Sequence, residues 1–279
     1  MTYFVTGATG FIGRYLVQSL LQKGKGTIYV LVRPKSIGKL DELREFWGKD
    51  SLKRVVPIKG DLGLPKLGVA RGDLTKLKGK VKHFYHLGAV YDIEASAEAM
   101  EKANITGTRG ALEFAEAVNA GCFHLVSSIA AAGLYRGTFT EDMFEEAEEL
   151  EHPYHRTKHD SEAMVRANGR IPFRVYRPGA VLGHSQTGFI DKIDGPYYFF
   201  KALQKLRESW PRSIPLVGIE GGYINVVPVD FVVDALVHLS HQPKLDGRCF
   251  HLTDPKARRI GELLNIFARA AHAPEMAFR

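Results

Sequence analysis

The sequence of 279 residues has few cysteines, no long apolar run and no low-complexity segment. Cys122 and Cys249 are its only cysteines, and they lie far apart with no second cysteine at ligand spacing. This excludes a disulfide framework and a zinc cluster, and it is typical of a reducing compartment. No apolar run approaches the ~18–20 residues that a membrane-spanning helix needs, and Met1 leads directly into a strand-like segment. We therefore expect a cytoplasmic protein with no transmembrane segment and no metal.

The charge balance favours anionic partners without identifying them. Lys and Arg number 38 against 31 Asp and Glu, which gives a net charge of +7. The basic residues are spread along the chain, and they accompany neither exposed aromatic residues nor a recognisable nucleic-acid-binding module. A phosphate-bearing cofactor or substrate is therefore favoured over nucleic acid. A solvated basic surface remains the alternative for any single lysine.

Short β-rich segments alternate with amphipathic stretches through the first two thirds of the chain. Such alternation predicts a parallel sheet with helices on both faces, because parallel strands need crossover connections. The fold class is therefore α/β, a Rossmann-type doubly wound parallel sheet. The predicted strands are 2–6, 27–32, 54–58, 83–87, 122–127 and 173–176.

The character of the sequence changes after Pro178, where glycine, proline and aromatic residues become dense. We predict a nucleotide-binding Rossmann domain at 1–180 that carries the catalytic residues. Residues 181–279 are predicted to form a smaller, mainly substrate-binding region, with elements that return to the Rossmann core. The mostly acidic stretch 141–151 predicts a solvated helix or loop.

A glycine-rich turn follows the first predicted strand, where segment 6–13 reads TGATGFIG. Gly7 permits a tight turn, Gly10 lets the backbone approach a pyrophosphate, and Gly13 lets the helix pack close to its strand. The helix that follows directs free N–H groups and its positive dipole end at the phosphates. The context of alternating strands and helices favours a dinucleotide site over a glycine-rich turn without a ligand.

The end of the second strand distinguishes between the two nicotinamide cofactors. An acidic residue there would bind the ribose hydroxyls of NAD and repel a 2′-phosphate. This chain has Arg33 instead, which can hold a phosphate with two hydrogen bonds, and Arg14 is placed to assist it. The sequence therefore favours NADP(H). The alternative is that Arg33 only caps the edge of the sheet.

The ends of the third and fourth strands add further candidates for the same crevice. Asp61 and Leu62 follow the third strand, and the Asp61 carboxylate is suited to accept a hydrogen bond from an adenine amino group. Ala89 follows the fourth strand, where small residues leave room for the cofactor. Ligands of open α/β sheets bind at the carboxyl ends of the strands, so we expect all three residues to line one crevice.

A serine pair and a Tyr–Lys pair form the candidate catalytic group. Ser127 and Ser128 end the fifth strand, and Tyr154 and Lys158 lie one turn apart on one face of a predicted helix. A phenol has a pKa near ~10, so it needs a neighbouring ammonium to act in proton transfer at neutral pH. A serine hydroxyl opposite the phenol can hold the substrate oxygen.

These motifs together resemble the extended short-chain dehydrogenases/reductases. Segment 6–13 matches the nucleotide motif of that family, and Ser128, Tyr154 and Lys158 match its catalytic residues. Asn104 falls on the helix where the family often has a structural Asn, and segment 177–181 matches the segment whose backbone contacts the nicotinamide amide. The resemblance implies cofactor contacts from Gly7, Thr9, Gly10, Phe11, Ile12, Pro178, Gly179 and Val181.

A closer resemblance is to bacterial fatty acyl-CoA reductases that form fatty alcohols, specifically to the N-terminal reductase domain of the type with two reductase domains. Segments 126–133, 152–154, 194–201 and 225–230 carry it. It implies NADPH-dependent reduction of a fatty aldehyde, a fatty acyl-CoA thioester, or both, and leaves this choice open. It also leaves open an acyl carrier protein as partner, a homo-oligomer, and a second reductase domain in a longer protein from which this chain was excised.

The aromatic residues after position 196 fit either an acyl tunnel or an ordinary core, and the core explains them with fewer assumptions. Two other functions remain as alternatives to the fatty acyl reductase. One is another extended enzyme of the same fold, such as a nucleotide-sugar epimerase or dehydratase or a hydroxysteroid-type dehydrogenase. The other is a module that senses NADP(H) without turnover, which would not need Ser128, Tyr154 and Lys158.

Overall fold

The computed structural model describes residues 1–90, 95–191, 195–211, 216–218 and 221–278. The chain forms two compact units. The first unit consists of Met1–Pro178 and Val229–Leu252, and the second consists of Gly179–Pro228 and Thr253–Arg279. The chain therefore leaves the first unit at Gly179, returns to it at Val229 and leaves it again at Thr253.

Strands and helices alternate through most of the first unit. The strands in chain order are β1 (Thr2–Thr6), β2 (Thr27–Val32), β3 (Val55–Lys59), β4 (His83–His86), β5 (Cys122–Val126), β6 (Phe173–Pro178), β7 (Ala180–Leu182), β8 (Leu216–Gly218), β9 (Tyr223–Ile224), β10 (Val226–Pro228), β11 (Cys249–Leu252), β12 (Arg258–Arg259) and β13 (Met276–Phe278). The helices are α1 (Phe11–Lys23), α2 (Ile37–Trp47), α3 (Ser51–Arg54), α4 (Arg71–Leu77), α5 (Ala97–Met100), α6 (Gly107–Ala117), α7 (Pro153–Ala167), α8 (Phe199–Ser209), α9 (Val229–Ser240) and α10 (Ile260–Ala270).

The first unit is built on a seven-stranded sheet in the order β11-β6-β5-β4-β1-β2-β3, in which every pair is parallel. This confirms the predicted doubly wound α/β fold. The chain runs outward from β1 through β2 to β3 and then crosses back to β4. The order of the strands therefore reverses between β1 and β4, and in such sheets ligands bind at the carboxyl ends of the strands beside this reversal.

A ladder of aromatic rings fills the centre of the first unit. Phe4, Phe84 and Phe123 occupy matching positions on β1, β4 and β5, with ring centroids 5.0 and 5.1 Å apart, and Phe114 of α6 packs on Phe4 at 4.6 Å. All four side chains are fully buried. Burial of each ring contributes roughly 1.5–3 kcal/mol. A one-residue slip of any strand would lose this packing, so the ladder fixes the register of the strands that carry the site.

Some elements differ from the sequence prediction. A seventh strand, β11, pairs with β6, in a region for which the local pattern predicts no strand. The helix expected at Asn104 is not a regular α-helix there, because a π-helical turn, Glu101–Thr106, joins α5 to α6. The acidic stretch 141–151 is irregular, as one of the two predicted alternatives has it, but it is not wholly solvated because Phe144 is buried.

The second unit has pairs of short strands and two helices. β7 pairs with β10 and β8 with β13 in parallel, and β9 pairs with β12 antiparallel. Tyr197 is buried and accepts a hydrogen bond from the Gly183 N–H at 2.6 Å, and its ring packs on Phe200 and Phe267. Leu203 is also buried, whereas Tyr198, Phe199 and Trp210 are exposed. The aromatic segment is therefore divided between core and surface. Asp194, at the start of the resembling segment 194–201, lies outside the described residues.

The described part of the chain contains neither a membrane-spanning helix nor a metal cluster. None of the helices described is long and apolar enough to cross a membrane. Within the same described residues, no group of three His, Cys, Asp or Glu side chains is arranged to hold a metal ion. Cys122 and Cys249 are both buried free thiols.

Candidate active site

The glycine-rich turn between β1 and α1 forms a cradle open to a phosphate. Gly7 has φ +72°, in the left-handed region, and its carbonyl accepts a hydrogen bond from the Gly10 N–H at 2.9 Å. A Cβ on Gly7 would lie 2.8 Å from the Gly88 nitrogen, and one on Gly13 would collide with the Gly7 carbonyl. Gly10 caps α1 without a side chain, and the first turn of α1 has no acidic residue. The turn therefore fits the pyrophosphate of a dinucleotide at a helix N-terminus.

The other predicted residues of this motif lie in the same turn. Thr9 precedes Gly10 and is partly exposed, and Phe11 and Ile12 are the first two residues of α1. At the end of the neighbouring strand β2, Arg33 is exposed and caps the short 3-10 turn Pro34–Ser36. The sheet order thus places the Gly7–Gly10 turn and Arg33 at the carboxyl ends of adjacent strands.

The segment after β3 turns back toward the end of β4. Asp61 Oδ1 accepts a hydrogen bond from the Gly63 N–H at 2.9 Å, and the Asp61 N–H donates to the Leu67 carbonyl at 2.8 Å. The Leu62 side chain packs closely on Gly88: a Cβ added to Gly88 would lie 2.6 Å from Leu62 Cδ1. The structure therefore brings Leu62, Gly88 and Gly7 together. Ala89 follows Gly88 and lines a small pocket that also includes Lys158 and Ser127.

The side chains of Ser128 and Tyr154 face each other closely enough for the Ser128 hydroxyl to lower the pKa of the Tyr154 phenol. Ser128 follows β5 and caps the 3-10 turn Ile129–Ala132, where its Oγ accepts a hydrogen bond from the Ala130 N–H at 3.1 Å. Tyr154 is the second residue of α7, whose N-terminus is capped by His152 Nδ1, which accepts from the Tyr154 N–H at 3.1 Å. The start of α7 is thereby fixed beside the end of β5.

Burial dominates the electrostatics of the Tyr–Lys pair. It raises the pKa of Tyr154 above its usual range, and the hydrogen bond from Ser128 lowers that pKa by a smaller amount. Lys158 was expected to lower the Tyr154 pKa, but the causes of the shift are burial and Ser128, and the net direction is upward because burial outweighs Ser128. Burial also lowers the pKa of Lys158 to about 8. At neutral pH Tyr154 is therefore a neutral phenol, suited to give up a proton.

Asn104 anchors the elements around this pair. It lies on the π-helical turn and is buried, and its Oδ1 accepts from the Val90 N–H at 2.8 Å. Its Nδ2 donates to the Val90 carbonyl at 3.0 Å and to Thr157 Oγ1 at 3.1 Å. Asn104 thus joins the turn after β4 to α7, which fits the structural role that the resemblance implies. A π-helical turn often marks a functional site.

His86 is a residue of the site that sequence analysis did not identify. Its Nδ1 lies 2.8 Å from Thr6 Oγ1 and its Nε2 lies 3.2 Å from Thr108 Oγ1. Burial, together with the nearby Lys158, lowers the His86 pKa to about 3, so this imidazole is neutral at pH 7. His86 therefore joins the end of β1 to α6, and it lines the same pocket as Lys158. Its place at the end of a core strand was the available signal.

The segment 177–181 spans the boundary between the two units. Pro178 ends β6 in the first unit, whereas Gly179 and Val181 belong to the second. A Cβ on Gly179 would lie 2.7 Å from the Asn225 carbonyl, so this position requires glycine. Val181 lies in β7 and pairs with Val227 of β10.

Comparison with known proteins shows the family. Residues 5–236 match an NAD-binding family model described as male sterility protein. A linear gramicidin synthase protein of Brevibacillus parabrevis is 32% identical over 275 residues, which are 93% of this chain and 5% of that protein. A provisionally assigned fatty acyl-CoA reductase of Drosophila melanogaster is 28% identical over 307 residues, which cover 90% of this chain and 58% of that protein.

A solved structure is similar to this chain over its whole length. The terminal R domain from the myxalamid PKS-NRPS biosynthetic pathway superposes with a TM-score of 0.85 at 29% identity, and the match covers all of this chain and 72% of that one. The chain spans only 5–28% of the length of the first curated relatives that it matches. With the glycine turn of β1 and the Ser–Tyr pair in place, this chain belongs to the NAD-binding male sterility protein family and is an extended short-chain dehydrogenase/reductase.

Proposed function

We propose that this chain is an NADPH-dependent carbonyl reductase that converts a fatty aldehyde, a fatty acyl thioester, or both, toward the alcohol. One observation carries the proposal. The neutral Tyr154 phenol faces the Ser128 hydroxyl, which lowers its pKa, and the buried Lys158 lies one helical turn away. This arrangement supports protonation of an oxygen that becomes negatively charged, which is the proton requirement of carbonyl reduction.

Each catalytic candidate has a separate role. When bound, the reduced nicotinamide cofactor supplies a hydride to the carbonyl carbon. Ser128 holds the carbonyl oxygen: its Oγ accepts the Ala130 N–H, and when substrate is bound its proton is donated to the carbonyl oxygen in place of Tyr154. Tyr154 donates its proton to the developing alkoxide. Lys158, as an ammonium, stabilises the phenolate that remains until Tyr154 is protonated again.

NADP(H) is the proposed cofactor because of Arg33. Its exposed guanidinium at the end of β2 suits a 2′-phosphate, and no acidic residue replaces it there. The Asp61 carboxylate uses Oδ1 for the Gly63 N–H, and we assign its second oxygen to the adenine amino group. Pro178, Gly179 and Val181 remain proposed contacts of the nicotinamide amide.

The substrate is proposed from relatives as well as from residues. The resemblance to alcohol-forming reductases and the similarity to the Drosophila protein support an acyl-CoA or aldehyde substrate. The similarity to the linear gramicidin synthase protein supports a second candidate, a thioester carried on a carrier protein. One hydride and one proton convert a thioester to an aldehyde and a thiol, and a second hydride and proton convert the aldehyde to an alcohol.

The test is to incubate the purified protein with NADPH and either decanal, a long-chain acyl-CoA or an acyl carrier protein thioester, and to identify the products. We expect oxidation of NADPH with formation of alcohol from decanal, and Tyr154→Phe serves as the inactive control. If none of the three substrates supports oxidation of NADPH, the proposed reductase function is contradicted. Turnover of decanal alone would restrict the function to the second reduction.

A further inference from the structure

A buried ion pair links the catalytic helix to the strand end that carries Ser128. Glu162 lies on α7, one turn after Lys158, and its side chain is fully buried. Its carboxylate accepts two hydrogen bonds from Arg177 of β6, at 3.0 Å to Oε2 and 2.6 Å to Oε1. Arg177 is also fully buried. Burying a charged side chain costs free energy unless it is paired and hydrogen-bonded. A pair of hydrophobic side chains at these two positions would avoid this cost.

The second partner of Glu162 is Ser127, the neighbour of Ser128 in the sequence. Ser127 Oγ donates to Glu162 Oε2 at 3.0 Å, and the Ser127 N–H donates to the Tyr176 carbonyl of β6 at 2.8 Å. The end of β5 is therefore held by β6 through its backbone and by α7 through a side chain. Arg166 completes the cluster by donating from Nε to Glu162 Oε1 at 2.8 Å.

Arg177 also connects this cluster to the acidic stretch 141–151 and the residues just before it. Arg177 donates to the Met143 carbonyl from both terminal nitrogens at 3.1 Å, and its guanidinium lies 5.1 Å from the centre of the Phe139 ring. Phe144 stacks on His159 of α7, with ring centroids 4.2 Å apart. The cluster therefore also holds the segment between the end of β5 and the start of α7, which are the two places from which Ser128 and Tyr154 project.

We propose that Glu162 and Ser127 are positioning residues that set the place of Ser128 relative to Tyr154. Neither residue is placed against the reacting carbonyl; they act through the Ser127 hydroxyl, which fixes the backbone immediately before Ser128. Catalytic geometry is sensitive to such fixing, because a displacement of about 1 Å can cost ~10²-fold in rate. This inference rests on the proposed carbonyl reduction, and its test includes a readout that does not need turnover.

Ser127→Ala is the informative variant, because Glu162 keeps both arginine partners and no buried charge loses its counter-ion. In Ser127→Ala we expect kcat to fall by roughly 10- to 100-fold with the affinity for NADPH unchanged. Ser127→Thr retains the hydroxyl, so its kcat should be close to the wild-type value. Ser240→Ala is the matched control. It removes a buried serine hydroxyl that bonds the Tyr85 hydroxyl at 2.7 Å, outside the site, and kcat should remain at the wild-type value.

The pH profile separates positioning from general weakening of the fold. The Ser128 hydroxyl lowers the Tyr154 pKa. If Ser127→Ala displaces Ser128 from Tyr154, as the proposal requires, the Tyr154 pKa rises. Two groups lose protons at high pH, Lys158 with a pKa of about 8 and then Tyr154, whose pKa is raised above its usual range. Reduction needs protonated Tyr154, so the later of the two steps in kcat moves to higher pH in Ser127→Ala but not in Ser240→Ala. A loss of kcat without this shift, or a wild-type kcat, would overturn the proposal.

Two further measurements keep the outcome clear. Ser127→Val, which keeps the shape of threonine without its hydroxyl, should fail to restore the kcat that Ser127→Thr restores, and equal kcat values for the two variants would contradict the proposal. Amide hydrogen exchange across 122–133 should accelerate in Ser127→Ala and not in Ser240→Ala. If the wild-type protein shows no turnover, the proposed function fails, and the exchange result alone decides whether Glu162 positions the end of β5.

Discussion

Three histidines on β4 and β5, of which His86 and His124 are buried and His83 is partly buried, make the stability of the first unit sensitive to mild acid. His83 Nδ1 lies 2.9 Å from His124 Nε2, and His124 Nδ1 lies 3.1 Å from the Tyr176 hydroxyl. Burial is the largest cause that lowers the pKa of His83 to about 4 and of His86 to about 3. It also lowers the His124 pKa well below its usual range, assisted by the nearby His83, Arg174 and His241.

The sign and size of the effect follow from proton linkage. Each pKa is lower in the folded state than in the unfolded chain, so the unfolded chain binds more protons as the pH falls and stability falls with it. A histidine with an unfolded pKa of ~6.5 that stays neutral when folded costs roughly 1.2 kcal/mol between pH 7 and pH 5.5. The three histidines together should lower the free energy of unfolding by roughly 4 kcal/mol over this interval.

Urea unfolding followed by circular dichroism at pH 8, 7, 6 and 5.5 measures this dependence. Most carboxyl groups titrate below this range, so the slope reports mainly on histidines. His83→Gln should remove about one third of the fall, and its stability at pH 8 supplies the baseline for any loss of packing. A free energy of unfolding that changes by less than about 1 kcal/mol across the interval would refute the assignment of these histidines as neutral.

The remaining predictions concern the proposed reaction. Tyr154→Phe should lose at least ~10²-fold in kcat in a steady-state assay while NADPH binding, measured by fluorescence, changes little; near-normal turnover would move the chemistry elsewhere. The unaltered protein should bind NADPH more tightly than NADH, and Arg33→Asp should erase or reverse this preference, because a phosphate partner becomes a repelling charge. Across linear aldehydes and acyl-CoA esters, kcat/KM should rise about fourfold for each added methylene until the site is full, since each buried methylene contributes about 0.8 kcal/mol; a flat series would remove the lipid substrate.

The parts that can be predicted from the sequence are those encoded by local patterns. Strands 2–6 and 27–32 have the same bounds in the prediction and in the structure, because each β-branched and aromatic run meets a glycine at one end, Gly7 after the first and Gly26 before the second. Tyr154 and Lys158 can be found because helical spacing sets them one turn apart. β11 escapes prediction because its pairing with β6 depends on a contact between distant parts of the chain, which no local pattern records.

The polar network around the site escapes prediction for a related reason. Arg177 belongs to the segment 177–181 in sequence terms, and nothing near it in the sequence indicates that Glu162 is its partner. His86 precedes a run of small residues, and no local pattern shows that it bonds Thr6 and Thr108. Burial also reverses the expected direction of the Tyr154 pKa. The extent of burial is a property of the folded chain that the sequence alone does not supply.

The return of the chain to the sheet at β11 limits how this protein can be cut and recombined. A truncation at Pro178 would strip β6 of its neighbour and leave its backbone N–H and C=O groups unpaired along an open edge, which favours aggregation. A shortened protein must therefore retain Val229–Leu252. A chimera that exchanges the second unit with that of a relative has to transplant two separate segments, with the junctions after Pro178, Pro228 and Leu252 chosen together.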